Sequence, residues 1–220
     1  NDIFKQSVSG IVTMGDDFII NENKDVILAR VQKLANGYYS QSILNNEFKL
    51  GKNYANFVSN NSQKVEFDEK KLVKINYRPF DERWTYFDNN VLWRWRKEVM
   101  VNYVNKPNIG LMVCRQQKTD GFHHVFAHSE IVDSSFVSSN TSEIGYSFPL
   151  RIYDNDDFTT NFDQKIVENF TRNISISFSP EDLFDYIYSI LHSPDYRLRY
   201  KQFLKIDFPR IPIPTQAEFD

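Results

Sequence analysis

Residues 72–88 read LVKINYRPFDERWTYFD, and they decide what fold to expect. Apolar and polar side chains alternate up to Pro79, which is typical of a β-strand with one buried face. Pro79 has no backbone N–H and disfavours the helical conformation for Arg78, so the strand should stop there. The alternation then resumes in RWTYFD. The stretch predicts two strands that meet at a proline corner.

The side chains around this corner have a structural interpretation. We expect Phe80 and Trp84 to lie in the core, and Asp81 to form a charge-assisted pair with Arg78 or Arg83. A partly buried arginine needs a carboxylate partner, and one is adjacent in the sequence. We therefore interpret the corner as scaffold rather than as a direct binding site. The predicted structural motif consists of Arg78, Pro79, Phe80, Asp81 and Arg83.

Helical and extended segments lie on both sides of the corner. The spacing of apolar residues predicts a helix over 21–37, with Gly37 at its C-terminal end, and a second helix over 42–58. In the second helix, Phe48, Tyr54 and Phe57 would form the core face. Further helices are predicted over 94–104 and 161–172, and further strands over 108–117, 122–128, 144–153 and 174–178.

The carboxyl-terminal part gives the clearest helical pattern. Pro180 stands at a first helical turn, Glu181 and Asp182 follow it, and apolar residues then recur on one face. A second helix should cover 193–205. The sequence predicts an α+β fold, with a central mixed or antiparallel sheet, flanking helices and a carboxyl-terminal amphipathic helix pair. We divide it into a lead-in (1–60), a β-rich part (71–178) and a helical part (179–214).

Composition bounds the function. The net charge of −3 and the pI near 5.9 give no global basic field, so a nucleic acid would need a local basic patch. A single cysteine, Cys114, excludes an internal disulfide and suits a reducing cytoplasm. No segment approaches the roughly 20 apolar residues of a membrane span, so we expect no membrane partner. Both ends look cut, as in a fragment of a longer chain.

A catalytic zinc site is one possible function of the histidines. The cluster FHHVFAH brings His123, His124 and His128 close together in the sequence. In a strand, however, His124 and His128 share one face and His123 points to the other. No cysteine or glutamate stands at a ligand spacing. We therefore expect no metal site, and we interpret the histidines as surface or hydrogen-bonding side chains.

Two other catalytic interpretations have simpler structural explanations. Glu47 and Lys49 follow Asp16 and Asp17 in the manner of a metal-dependent nuclease, but they fall in a predicted helix, where an exposed charge pair is the simpler explanation. Cys114 lies in an apolar run, and burial raises the pKa of a thiol and hides it. The sequence has no glycine-rich phosphate loop and no dinucleotide-binding motif. We expect no catalytic residues.

Polar loops are the remaining candidates for a binding site. Arg94, Arg96 and Lys97 interleave with two tryptophans, and the run from Arg115 to Lys118 follows a predicted buried strand. Arginine and lysine donate to guanine, and glutamine or asparagine pairs with adenine, so such loops suit base reading. A second polar loop contains Ser138, Ser139 and Asn140. Solvated loops with scattered charge remain the alternative.

A family resemblance adds to these observations. I-x-YRPFD-x-R-x-x-Y, N-x-G-L-x-x-x-R-Q, FPLRIY and EDLFDYIYSILHSPDYRLRYKQFLKIDFPRIP occur in that order, from about residue 10 to residue 214. This resembles the carboxyl-terminal specificity region of single-chain restriction-modification enzymes of Type ISP and the related Types IIG and IIL. In those enzymes a nuclease and an N6-adenine DNA methyltransferase precede this region.

The resemblance implies a target-recognition domain that binds double-stranded DNA and contacts the methyltransferase domain of the same chain. The fragment would then have no enzyme activity and no cofactor of its own, while the parent chain would use S-adenosylmethionine and Mg²⁺. The alternative is a docking domain whose helices over 180–205 hold the methyltransferase and never touch bases.

The resemblance also nominates residues by position. Base choice in related domains is set in the loop after the buried strand and in the turn before FPL, which points here to Lys118 with Asn140. The residues expected to read bases are Arg115, Gln116, Gln117, Lys118, Ser139 and Asn140. From their side-chain chemistry, we expect Arg94, Arg96 and Lys97 to contact phosphates, with His123 and His124 as second choices. The basic residues of 197–201 are as well explained by domain packing.

Overall fold

The computed structural model describes residues 3–118, 120–141, 143–174, 177–215 and 219. The strands are β1 (Val8–Ser9), β2 (Leu72–Arg78), β3 (Asp81–Tyr86), β4 (Gly110–Cys114), β5 (Val125–His128), β6 (Ile131–Val132), β7 (Gly145–Pro149), β8 (Arg151–Asp154) and β9 (Asp157–Thr160). The helices are α1 (Asp16–Ile19), α2 (Lys24–Ala35), α3 (Gln41–Phe48), α4 (Lys52–Asn61), α5 (Lys97–Met100), α6 (Gln164–Asn173), α7 (Pro180–His192), α8 (Pro194–Arg199) and α9 (Lys201–Leu204).

Strands of the described residues form three sheets. The order β1-β7-β4-β5 gives an antiparallel four-stranded sheet, and β3-β2-β6 gives a mixed sheet in which β2 and β6 run parallel. Strands β8 and β9 form a separate hairpin. This arrangement confirms the predicted α+β class.

Two hydrophobic cores lie on opposite faces of β4. All five residues of β4 are buried. Met112 belongs to the first core, which the amino-terminal helices build together with β2 and β3. Leu111 and Val113 belong to the second core, which contains α6, α7 and α8 side chains such as Phe170 and Leu183. Successive strand residues point to opposite faces, so one strand supports both cores.

The predicted carboxyl-terminal helix begins as its sequence indicates. The hydroxyl of Ser179 accepts the backbone N–H of Asp182, the carboxylate of Asp182 accepts the backbone N–H of Ser179, and Pro180 lies in the first turn. The helix over 21–37 is also confirmed, with Asn23 as its N-cap and Gly37 at a φ of 74° just beyond its end. These are the segments whose boundaries are set by local chemistry.

Other predicted helices are interrupted. The single helix expected over 42–58 is two helices, because Lys49 adopts a left-handed φ of 52° and Gly51 caps the next segment. The helix expected over 193–205 is likewise divided at Tyr200, between α8 and α9. The predicted strand over 174–178 lies partly outside the described residues, and its described residues form no strand.

The helix predicted over 94–104 shrinks to α5. Arg96 has a left-handed φ of 52° and stands immediately before this helix. Beyond it, the amide of Asn102 donates to the carbonyl of Val99 at 2.8 Å. Asparagine side chains that bond nearby backbone compete with helical hydrogen bonding. Only Lys97–Met100 is therefore helical.

The proline corner is a tight hairpin turn, and the expectation for Phe80 is wrong. Arg78 pairs with Asp81 across the turn, so Pro79 and Phe80 are its central residues. Phe80 has a φ of 64° and is 102% exposed, because the second central residue of such a turn points away from both strands. Trp84 is partly buried against the first core.

Candidate nucleic-acid interface

Two polar loops leave the four-stranded sheet at the same edge. Loop A comprises residues 115–124, described except for residue 119, and it joins β4 to β5. Loop B comprises residues 133–144, described except for residue 142, and it leads into β7. Cys114 at the end of β4 pairs with Gly145 at the start of β7. The predicted base-reading residues of both loops thus lie at the same end of this sheet.

A buried carboxylate joins the two loops. Glu143 is 2% exposed, and its carboxylate accepts the backbone N–H of Lys118 and the hydroxyl of Thr141, the latter at 3.1 Å. Nδ1 of His124 lies 3.0 Å from Oε2 of Glu143, without hydrogen-bond alignment. Bonds to a buried carboxylate are among the stronger ones in proteins, so Glu143 fixes loop A against loop B.

The predicted base-reading residues differ in their availability. Gln116, Lys118, Ser139 and Asn140 are exposed. Lys118 forms no ion pair with any described residue. Gln117, by contrast, is 5% exposed, and its side-chain oxygen accepts the backbone N–H of His123 at 3.2 Å. Gln117 therefore supports loop A from inside and does not reach a base in this conformation.

Arg115 is exposed but engaged. Its Nε donates to Oδ1 of Asp207 at 2.8 Å, and this hydrogen bond holds the pKa of Asp207 below its usual value. Both side chains line a cleft of about 790 Å³ between β4, α6, α7 and residues 207–213. Asp120 of loop A is similarly paired, with Lys205 at 3.1 Å and Lys201 at 3.5 Å. Residues 201–207, which comprise α9 and the turn after it, thus hold loop A at two points.

The predicted phosphate contacts fall into two groups. Arg94 and Lys97 are exposed, Arg96 is half-buried, and none of the three forms an ion pair with a described residue. Arg94 exchanges backbone hydrogen bonds with Val12, and the ammonium of Lys97 lies 5.4 Å from the centre of the Trp95 ring. In loop A, His123 is exposed and His124 is held beside Glu143.

The predicted structural motif supports the start of loop B. Arg78 donates to Asp133 at 2.9 Å, while Asp81 pairs with Arg83. The alternative left open for Asp81 is thereby resolved in favour of Arg83. Asp133 is 4% exposed, and it also accepts the backbone N–H of Ser135 at 2.8 Å. Burial raises the pKa of Asp133 to about 6, although Arg78 opposes this shift.

The residues weighed for catalysis have other partners. Asp16 accepts the hydroxyl of Tyr77 at 2.6 Å, and Glu47 is an exposed residue of α3. Burial raises the pKa of the Cys114 thiol to about 12, which leaves it protonated at neutral pH. Among the described residues, no three His, Cys, Asp or Glu side chains are grouped as metal ligands would be.

His128 belongs to a buried network at the far end of the same sheet. Its Nδ1 lies 2.9 Å from the carbonyl of Glu130, its Nε2 lies 3.0 Å from the hydroxyl of Ser147, and Ser147 is 2.9 Å from the hydroxyl of Tyr103. Burial lowers the pKa of His128 to about 4. Gly110 is required beside this network, since a Cβ there would lie 1.9 Å from the Tyr103 hydroxyl.

The sequence reasoning missed Glu143, Asp120 and Asp207. Glu143 carried a readable signal, because it is in phase with the buried positions Gly145 and Ser147 of the following strand. A carboxylate at an inward position needs hydrogen-bond donors, and the neighbouring loops provide them. Asp120 and Asp207 carry no such signal, because their partners are distant in the sequence. Asp120 pairs with Lys201, 81 residues later, and Asp207 pairs with Arg115, 92 residues earlier.

The chain is similar to one protein family and to several solved structures. No curated protein matches the chain. None of the helices in the described part of the chain is both long and apolar enough to cross a membrane. A family model, the Type ISP C-terminal specificity domain, matches residues 2–219.

Three solved structures share the fold. The first is a cryo-EM structure of a DrdV–DNA complex, with a TM-score of 0.75 and 23% identity over 99% of this chain and 22% of that chain. The second is a nuclease-deletion mutant of the Type ISP restriction-modification enzyme LlaGI in complex with a DNA substrate mimic, with a TM-score of 0.69 and 24% identity over 96% of this chain and 20% of that chain. The third is the ATP-dependent Type ISP restriction-modification enzyme LlaBIII bound to DNA, with a TM-score of 0.74 and 15% identity over 99% of this chain and 15% of that chain. This chain therefore spans 15 to 22% of the length of these proteins.

The family model extends over almost the whole chain, and the paired loops at the β4–β7 edge lie within the matched region. The resemblance read from YRPFD and the later motifs is thereby confirmed: the chain belongs to the Type ISP C-terminal specificity domain family.

Proposed function

We propose that this chain is the sequence-specific DNA recognition module of a restriction-modification enzyme, and that loops A and B enter a groove of the double helix together. The observation that carries the proposal is the shared anchor of the two loops, since Glu143 binds the backbone of Lys118 and the side chain of Thr141. A protein that recognises the edges of bases must hold its side chains in a fixed geometry, and a buried carboxylate that binds both loops provides that rigidity.

The chemistry of the exposed side chains supports this role. Lys118 can donate to guanine, and Asn140 can pair bidentately with adenine. Arg94, Arg96 and Lys97 have no ion-pair partner among the described residues, so they are available to neutralise phosphates. The family match and the DNA complexes of DrdV, LlaGI and LlaBIII support the same role.

The remainder of the proposal concerns the longer enzyme. We propose a cytoplasmic parent chain with an N6-adenine DNA methyltransferase domain that uses S-adenosylmethionine, and with a nuclease that uses Mg²⁺. This domain would position the DNA so that an adenine can be flipped into the methyltransferase site. The domain itself contributes no catalytic residue and binds no cofactor.

An exchange of loop residues in the full-length enzyme tests the proposal. Lys118 and Asn140 are replaced together by the residues of a relative that methylates a different site, and the methylated sequences are mapped across a plasmid library. A changed recognition sequence is expected. Lys24→Ala is the matched control, because Lys24 is an exposed lysine of α2 and lies in neither loop. Retained activity on an unchanged sequence would exclude base reading by these loops.

A docking domain that never touches bases is the second candidate. Three large apolar residues of the carboxyl-terminal helical part favour it: Leu198 is 77% exposed, Phe203 is 72% exposed and Ile206 is 65% exposed. Apolar side chains that are grouped and exposed often mark a protein interface. The same loop exchange separates the candidates, because pure docking predicts an unchanged methylation sequence.

A further inference from the structure

The tip of the β2–β3 hairpin, residues 77–83, presents a single aromatic ring to solvent. Phe80 is 102% exposed, whereas the next most exposed large apolar residue of the described chain, Leu198, is 77% exposed. Phe80 also has a left-handed φ of 64°, which costs an L-residue about 1–2 kcal/mol. Glycine or asparagine would relieve this cost. Neither the core nor the turn therefore requires phenylalanine at this position.

The hairpin tip is rigidly built beneath the ring. Arg83 donates to both carboxylate oxygens of Asp81, at 2.9 to 3.1 Å. Two guanidinium groups lie over the ring of Tyr77, with Cζ of Arg78 at 3.8 Å from the ring centre and Cζ of Arg83 at 4.5 Å. Such stacking and bidentate pairing fix long side chains in one arrangement. Phe80 thus projects from a preorganised platform, as an interface anchor does.

The charges around the hairpin tip disfavour nucleic acid. Both cations of the tip are engaged, Arg78 with Asp133 at 2.9 Å and Arg83 with Asp81 at 2.9 Å, and so is Lys74 just outside the tip, with Glu82 at 3.0 Å. Further carboxylates act on the same groups, namely Asp16, Glu22 and Glu130. Phosphates require free lysine or arginine side chains, and a surplus of carboxylates repels them. A second copy of the chain would bring the same excess of negative charge.

We infer that Phe80 is the anchor of a protein-docking surface, and that it inserts into an apolar pocket rimmed by basic side chains on another domain of the same polypeptide. The inference rests on the proposed function to the extent that this chain is a module of a longer enzyme. In the three solved structures that share the fold, most of the polypeptide lies outside the matched region. One aromatic ring in a desolvated pocket is a common hot spot of binding energy.

The docked tip is connected to the recognition loops. Arg78, at the base of the tip, bonds the side chain of Asp133, and Asp133 opens loop B by accepting the N–H of Ser135. A domain that holds Phe80 therefore also holds the start of loop B through two successive contacts. The hairpin tip fixes where the reading loops stand relative to the rest of the enzyme.

Photocrosslinking in the full-length enzyme tests this inference. Phe80 is replaced with the phenylalanine analogue p-benzoyl-L-phenylalanine, the protein is irradiated with and without DNA, and the products are mapped by mass spectrometry. The same analogue at Phe158, which is 52% exposed at the β8–β9 hairpin, sets the background. We expect an intramolecular crosslink from position 80 to a segment outside this 220-residue chain, in equal yield with and without DNA.

Three outcomes would overturn the inference: a crosslink to DNA, a crosslink between two enzyme molecules, or a yield no higher than that at position 158. The substitution does not disturb the core, because the ring of Phe80 is fully exposed. The result is also independent of base reading. A loop exchange that leaves the methylation sequence unchanged removes the proposed function, and an intramolecular crosslink would stand beside that result.

Discussion

The carboxylate of Glu143 accepts the backbone N–H of Lys118, which lies 25 residues earlier in the chain. This bond joins loop A to loop B at the point where both leave the sheet. The side chain of Lys118 remains exposed while its backbone is fixed. Lys118 thus combines a fixed backbone with a side chain that is exposed for binding.

Removal of the shared anchor should destabilise the domain and weaken recognition. Glu143→Ala leaves the N–H of Lys118 without its acceptor, so we expect the free energy of unfolding to fall by about 2 kcal/mol. Glu143→Gln keeps one acceptor oxygen and should cost about half as much. Urea denaturation measures both losses, and hydrogen exchange should accelerate in both loops.

A surface carboxylate provides the control for this pair of variants. Glu168 lies 3.9 Å from Arg172 on α6, and both side chains are at least half exposed. Glu168→Ala should therefore change the free energy of unfolding by less than about 0.5 kcal/mol. Equal losses in Glu143→Ala and Glu168→Ala would contradict the role assigned to Glu143.

Phosphate contacts and base contacts should respond differently to salt. Arg94→Ala should weaken binding to all DNA sequences alike, and it should reduce the slope of log K against log salt by about 0.9. Asn140→Ala should leave that slope unchanged and relax the sequence preference. Fluorescence anisotropy of the full-length enzyme over a salt series measures both. An unchanged slope in Arg94→Ala would remove Arg94 from the phosphate contacts.

The ion pair of Arg115 with Asp207 should compete with DNA. Asp207→Asn frees the guanidinium of Arg115, which is 59% exposed, and should therefore tighten DNA binding. This gain in DNA affinity should vanish when Asp207→Asn is combined with Arg115→Ala, because the double variant has no arginine at position 115 to release. Binding that is equal or weaker in Asp207→Asn would show that Arg115 does not contact DNA.

Acid should weaken the domain through His128. The folded state lowers the pKa of this histidine from 6.5 to about 4, so the folded protein binds fewer protons than the unfolded chain between these values. Stability is therefore fully present above pH 6.5 and is lost as the pH falls through this window. At pH 5 the loss should be about 2 kcal/mol relative to pH 7.5.

A His128→Gln variant isolates this effect. The raised pKa of Asp133, at about 6, contributes with the opposite sign, because the folded state binds a proton there more readily than the unfolded chain does. The difference between the original chain and His128→Gln cancels that contribution. The variant should lose about 2 kcal/mol less between pH 7.5 and pH 5, as measured by urea denaturation. Parallel curves would contradict a buried neutral His128.

Relief of the left-handed conformation should stabilise the domain. Phe80→Asn removes a fully exposed ring from a φ of 64°, so we expect a gain of about 1 kcal/mol and a rise in Tm of about 3 °C. Lys49→Gly is the matched control, since Lys49 is exposed at a φ of 52° and should gain a similar amount. A loss of stability in Phe80→Asn would mean that the ring packs within the domain.

Local patterns predicted those parts of the fold that local chemistry determines. The apolar run of β4 and the capping residues of α7 were readable because burial and capping depend on neighbours in the sequence. Phe80 was misassigned because strand alternation continues through a two-residue turn without changing its pattern. The break between α3 and α4 was missed although Gly51 stands beside it, because the left-handed φ of 52° falls on Lys49, a residue type that does not predict such a conformation.

The candidate site was predicted by loop composition and family position but not by its contacts. Gln117 has the same composition signal as Gln116, yet it is buried while Gln116 is exposed. Their difference depends on His123, whose backbone N–H binds the Gln117 side chain. The partners of Arg115 and Asp120 lie 92 and 81 or more residues away, and no local pattern reports such distances.

The position of β4 between the two cores has an evolutionary consequence. All five of its residues are buried, whereas exposed side chains of the segments that follow Cys114 and precede Gly145, such as Lys118 and Asn140, carry none of that packing. Substitutions at those exposed positions should carry little penalty in folding, unlike substitutions of the buried loop residues Gln117, Phe122, Phe136 and Glu143. Under the proposed function, a lineage of such enzymes would thus acquire new target sites by changes at exposed loop positions, while β4 keeps the architecture intact.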